Sequence, residues 1–243
     1  MRALFLFVLA LVSQLACGQG VKTVSIPTSK NLRSDADTCF SFTSDRATAS
    51  KIHLPDLRKS TDAFHFRLWS GRQALDIWTL ESKRYFGAVT SYAQRYNAAL
   101  FAKNNYRIDT VIFKQIALPN AKAKQIFQLI DSLAIISIPT DNQIAGWQEG
   151  LDGTEYRIET STPSSYAYKT YWAPSLFTDT LWEARQIQTL IDKLYANFTL
   201  ADYTKHLKLL PGHYQHDGVE GVQIRTVLPD EEPKHRTSIF DWF

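Results

Sequence analysis

The side chains best suited to chemistry gather in one stretch of the chain. Asp152, Glu155 and Glu159 lie close together in sequence, with Trp147 before them and Trp172 beyond. Paired carboxylates between indole rings are the parts of a glycosidase: one acid protonates the leaving oxygen, the other serves as base or nucleophile, and the rings stack on the sugar. Such a pair must stand a few ångströms apart across a substrate, which local spacing does not supply. The plainer reading makes Asp152 a turn residue and Glu159 an exposed strand residue beside Arg157 or Lys169, a weak surface pair. On the same stretch Trp147, Tyr171 and Trp172 read as a binding face.

A second cluster is His213, His216 and Asp217, three metal-type ligands in a short run. On a helix the two imidazoles would share a face, and zinc would need further ligands from elsewhere. Pro211, Gly212 and Gly218 around the run predict a loop, in which histidines are solvated and no metal is held. His53, His65, His206 and His235 show no partner spacing. Cys39 sits beside Phe40 and Phe42 and reads as a buried apolar thiol. No serine carries a local signature of a nucleophile, and the dinucleotide, phosphate-loop, Gly-x-Ser-x-Gly and His-Glu-x-x-His patterns are all missing. No cofactor is therefore expected.

Charge and composition narrow the class. The 27 basic and 24 acidic side chains of the 243 residues nearly cancel, which argues against nucleic acid as a partner. An apolar share of 44% and an aromatic share of 13% belong to a folded domain.

The beginning of the chain predicts export. Arg2 is followed by the apolar run Ala3 to Val12 and then by small and polar residues, the layout of a secretory signal over 1–18. Ala16 and Gly18 suit cleavage before Gln19. Leu15-Ala16-Cys17 also approaches a lipoprotein box, although Gln14 stands where such a box carries leucine, so Cys17 is a candidate for lipidation. Either route leaves Cys39 without a partner in the mature chain, and a lipid on Cys17 would be the one link to a membrane.

The elements that must position these residues are legible in part. Residues 19–62 are polar and read as an irregular leader with one strand at most. From Phe64 the apolar residues alternate, with Phe66 and Leu68 facing one way and His65, Arg67 and Trp69 the other. A turn at Gly71 and further alternation through Leu75, Ile77 and Val89 to Tyr96 complete a meander. Asn120 can start a helix with Ala123, Ile126, Phe127, Ile130 and Leu133 on one face. A second meander follows Pro139: a strand from Ile144 to Gly150, a hairpin at Asp152-Gly153, a strand from Thr154 to Thr160 and a return along Tyr166 to Trp172. Thr180 to Glu183 forms a capping-box pattern ahead of a helix burying Ala184, Ile187, Ile191 and Leu194. Val222 to Val227 suggests a last strand, and 229–243 a tail.

The two helices share AxQIxxLIDxL, seven of eleven positions in AKQIFQLIDSL and ARQIQTLIDKL. The reading is α+β: two antiparallel meanders, each followed by a covering amphipathic helix, within 63–228. The halves 63–138 and 139–228 are one domain or two similar lobes, and the repeated helix raises an internal duplication.

Gly146-Trp147, Asp152-Gly153, Tyr156-x-x-Glu159, Trp172-x-Pro174 and Glu183-Ala184 together resemble the pattern of a family of exported bacterial proteins of unknown activity. The likeness spans roughly Ile126 to Leu194 and implies export and a fold, not a reaction. The function expected is a non-enzymatic protein of the cell envelope that binds a protein, glycan or small ligand at Trp147, Tyr171 and Trp172. The alternative is an extracytoplasmic hydrolase acting through Asp152 and Glu159 or a metal at His213 and His216.

Overall fold

In a computed structural model the described residues are 21–28, 39–80, 84–148, 150, 153–198, 200, 206–218 and 221–228. The proposed signal over 1–18 with Cys17, the turn residue Asp152 and the tail over 229–243 lie outside them. Among the described residues the order of elements is β1 (Thr23–Ser25), α1 (Phe40–Lys51), β2 (Phe64–Ser70), β3 (Gln73–Thr79), β4 (Tyr85–Tyr96), α2 (Ala98–Phe101), β5 (Ile108–Ala117), α3 (Asn120–Ser132), β6 (Glu155–Ser161), β7 (Ser165–Trp172), α4 (Trp182–Phe198), β8 (Gly212–Gly218) and β9 (Gly221–Val227). Short 3₁₀ turns occupy Leu57–Lys59, Ile135–Ser137, Asp141–Gln143 and Pro174–Phe177.

The fold is α+β. One sheet of nine strands runs β1-β7-β6-β2-β3-β4-β8-β9, with β5 also paired to β4. Among the described strands only β1 lies parallel to its neighbour, β7. β2 pairs with β3 on one side and β6 on the other, so strands from both halves of the chain share the sheet. The β2–β3 turn needs Gly71, whose φ of 52° lies in the left-handed region.

The period-two pattern sorts the strands into two faces. Phe66, Leu68, Leu75, Ile77, Val89 and Ile158 join Ala123, Ile126 and Ile130 of α3 and Ala184, Ile187, Ile191 and Leu194 of α4 in one apolar core. Gly87 permits the close approach of α3 to β4: a Cβ there would stand 2.9 Å from Ile77 Cδ1 and 3.3 Å from Ala123 Cβ. Asn120 at the start of α3 donates its amide to the carbonyl of Tyr85 on the same strand.

Three expectations change. The stretch up to residue 62 carries the twelve-residue helix α1, which has almost no apolar stripe and buries Phe42, Asp45, Thr48 and Ala49. Helical periodicity therefore could not reveal it. The described residues of 144–150 form no strand, because Asp141 turns the preceding segment across β7, accepting bonds from Thr170 Oγ1 at 2.8 Å and Trp172 N at 2.9 Å. The hydroxyl of Thr180 donates to Phe177 O instead of capping α4, which begins at Trp182.

Truncating Ile126, fully buried in the core, is expected to cost about 2–5 kcal/mol. The same change at Phe40, 83% exposed, is expected to fall within about 0.5 kcal/mol of wild type. Urea unfolding of Ile126→Ala and Phe40→Ala checks both.

Candidate functional site

The second face of the sheet is charged, and α1 lies over part of it. Alternation puts His65, Arg67 and Trp69 of β2, Asp76 of β3 and Glu155, Arg157 and Glu159 of β6 on that side. Arg67 is 1% exposed and Asp76 3%. Arg67 Nε donates to Asp76 Oδ1 at 2.7 Å, and its Nη1 reaches Pro55 O at 3.2 Å and Glu159 Oε1 at 3.4 Å. Glu159 also accepts from Trp69 Nε1 at 2.7 Å and from the Tyr166 hydroxyl at 2.8 Å. His65 bridges two carboxylates, Nδ1 to Asp62 Oδ2 at 2.8 Å and Nε2 to Asp76 Oδ1 at 2.9 Å. Carboxylates only accept, so both bonds form only when each ring nitrogen carries a proton or a proton is shared with an acid.

A second centre surrounds Arg157. Its Nε donates to Asp45 Oδ2 of α1 at 2.9 Å, and the Tyr168 hydroxyl donates to the same oxygen at 2.7 Å. Glu155 Oε2 lies 3.6 Å from Arg157 Nη1 and accepts from Ser41 Oγ at 2.7 Å. Helix α1 is thus held by Asp45, Ser41 and the Phe42 ring, which meets Tyr168 edge-on.

Burial and pairing act oppositely on these acids. For Asp76, burial raises the carboxyl pKa, but Arg67 and His65 outweigh it and hold the group below the usual carboxylate value. For Asp45, burial dominates over Arg157 and Tyr168, and the pKa is raised. Burial likewise raises Glu155 despite Arg157 and Ser41.

The sequence candidates occupy different ground from that expected. Glu159 is buried and held by three donors, not exposed in a surface pair. Its strand neighbours are Tyr168 and Arg67, while Lys169 pairs with Ile158 on the opposite face and donates to the carbonyls of Ile136 and Ile138. Glu155 and Glu159 share β6, where four positions correspond to about 13 Å of strand. That is beyond the roughly 5–9.5 Å between the acids of a glycosidase. Trp147 and Tyr171 belong to the apolar core, 8% and 0% exposed, and the Trp147 indole donates to Trp172 O. Only Trp172 of the expected binding face is half-exposed, and its ring lies on Gly150 and Gly153, where added Cβ atoms would come within 2.5 and 2.7 Å of it.

The run with His213, His216 and Asp217 is strand β8 of a hairpin rather than a loop. Positions 213 and 216 are three apart on this strand, where successive positions alternate between faces, so the shared helical face does not arise. His213 stacks on Phe101 with ring centroids 3.9 Å apart and pairs with Thr226 Oγ1. Among the described residues no three metal-type ligands cluster. Cys39 is partly buried at the start of α1, and burial raises its thiol pKa, leaving it a weak nucleophile.

The charged layer has one open end, which sequence reasoning missed. The His65 ring stacks on Trp78 with centroids 5.6 Å apart, Trp78 on Phe86 at 5.7 Å, and the Arg84 guanidinium lies 5.2 Å over Phe86. This ladder crosses β2, β3 and β4 at directly opposed positions. Beside it opens a hollow of about 530 Å³ lined by Trp78, Arg84, Tyr85, Phe86, Ala117, Leu118 and Asn120. The opposed aromatic pair follows from period two once β3 and β4 are in register, the one signal that could have exposed it.

The opposite shifts give opposite pH behaviour. Asp76, with a depressed pKa, contributes stability above the unfolded value near about 4 that is lost as pH falls through the folded one. Asp45, with a raised pKa, contributes stability when protonated that is lost as pH rises from about 4 through its folded value. Asp76→Asn is expected to cost about 3–5 kcal/mol, fully developed at neutral pH. Asp45→Asn, which takes the carboxylate away from Arg157, should be destabilising, with a deficit relative to wild type that narrows as pH rises above about 4, and urea unfolding at pH 4 and pH 7 measures both. No family model matches the sequence, and neither a curated protein nor a solved structure matches the chain.

Proposed function

We propose that this is an exported, non-enzymatic binding protein of the cell envelope whose ligand site is the hollow beside Trp78 and Phe86. The hollow carries the reading: it joins an aromatic wall to one cation, Arg84, and has the size of a small-molecule site. The groups able to do acid–base chemistry support it from the other side. His65, Asp76, Arg67 and Glu159 engage one another in a buried layer and do not line the hollow.

Export rests on the apolar N-terminal run and on the resemblance to an exported family. The architecture is read with it. α3 and α4 place Ala123, Ile126 and Ile130, and the corresponding Ala184, Ile187 and Ile191, in one core, which favours two strands-then-helix units descended from a duplication. No helix among the described residues is long and apolar enough to cross a membrane.

Two experiments test this. Expressed in a bacterial host with its own N-terminus, the protein should have a mass beginning at Gln19 or at a lipidated Cys17. An intact Met1 in the cytoplasmic fraction overturns export. An NMR fragment screen of the mature protein should move the Trp78 indole resonance and leave that of Trp69 in place. Hits confined to Trp69, or turnover of chromogenic glycosides or esters that Glu159→Gln abolishes, would contradict a binding role at the hollow.

A further inference from the structure

Resting on that reading, we infer that the hollow takes a small organic acid: an apolar or aryl body carrying one carboxylate, its head on Arg84 and its body along Leu118 and the ring edges of Trp78 and Phe86. The lining divides in this way. Trp78, Tyr85, Phe86, Ala117 and Leu118 supply apolar surface, while Arg84 and Asn120 supply polar groups. Among the described lining residues Arg84 is the one charge, and no carboxylate is among them. The first turn of α3, which reaches the hollow at Asn120, contains no acidic residue either. A cationic ligand would meet a guanidinium that no carboxylate among the described lining residues offsets, whereas a carboxylate can take two parallel hydrogen bonds from it.

The ladder itself argues against a stacked sugar. Trp78 lies between His65 of β2 and Phe86 of β4, and the Phe86 ring also meets the Arg84 guanidinium. Ring faces are therefore used within the stack, and ring edges remain. The edge of an aromatic ring is the positive part of its quadrupole, which favours an acid head and tolerates an alkyl or aryl body.

The test compares three probes of one shape, 3-phenylpropionate, 3-phenylpropanol and 3-phenylpropylamine, titrated into the mature protein and followed by the Trp78 indole N–H signal. Phe substitution at Trp78 assigns that signal among the six tryptophans. The acid should bind at least tenfold more tightly than the alcohol, and the amine more weakly than either. Arg84→Gln, at an exposed position, should abolish the preference for the acid while leaving alcohol binding in place. Equal binding of acid and alcohol, or preference for the amine, overturns the charge assignment but leaves the hollow as a binding site. No shift with any probe at millimolar concentration overturns the hollow as a site and this inference with it.

Discussion

Two guanidinium groups stand on one face of the sheet, and the rest of the molecule is arranged to keep them there. An unpaired ion out of water costs several kcal/mol, and the cost is offset only by close partners with good geometry. Arg67 obtains them from β3, β6 and the loop at Pro55, and Arg157 from Asp45 of α1 and Glu155 of its own strand. The tyrosines of β7 complete both acids, Tyr166 on Glu159 and Tyr168 on Asp45. This explains why a polar N-terminal stretch folds onto the body at all. Lys22 adds to the tie, its ammonium donating to Leu57 O, Ser60 O and Ser161 Oγ.

The same constraint separates structure from recognition. Acids that would be catalytic candidates in a cleft are here consumed by neighbours, and the layer makes contact with the surface through a stack of rings. His65 is pinned by Asp62 and Asp76, Trp78 leans on it, and Phe86 and Arg84 follow. The charged layer thus positions the wall of the hollow, and the binding proposed there would leave the bonds of the buried network in place.

How much of this was legible follows from which forces act locally. Helical spacing exposed the buried faces of α3 and α4, because an apolar stripe of period 3.6 is written in adjacent turns. Alternation put His65, Arg67 and Trp69 on a common side, but what covers that side is not written in the strand itself. α1 covers it in part, and its sequence carries no stripe because its contacts are Asp45, Ser41 and Thr48 as much as Phe42. Trp147 was misread for a related reason: an indole beside acidic residues looks exposed, yet its N–H finds Trp172 O in the core. The β8 strand was hidden by its glycines and proline, which predict a loop until Tyr214 and Gln215 meet β4. The hollow was least visible, since Trp78, Arg84 and Asn120 come from β3, the segment before β4 and the start of α3.

The central claim is that Asp45 and Arg157 form one unit that fastens α1 to the charged face. A double-mutant cycle by urea unfolding, with Asp45→Ala and Arg157→Met separately and together, measures it most directly. The account expects Arg157→Met alone to be strongly destabilising and the double variant to be less destabilised than the sum of the singles by more than about 1 kcal/mol. Additive effects within about 0.3 kcal/mol would mean that the two groups are adjacent without being coupled, and that α1 is held by other means.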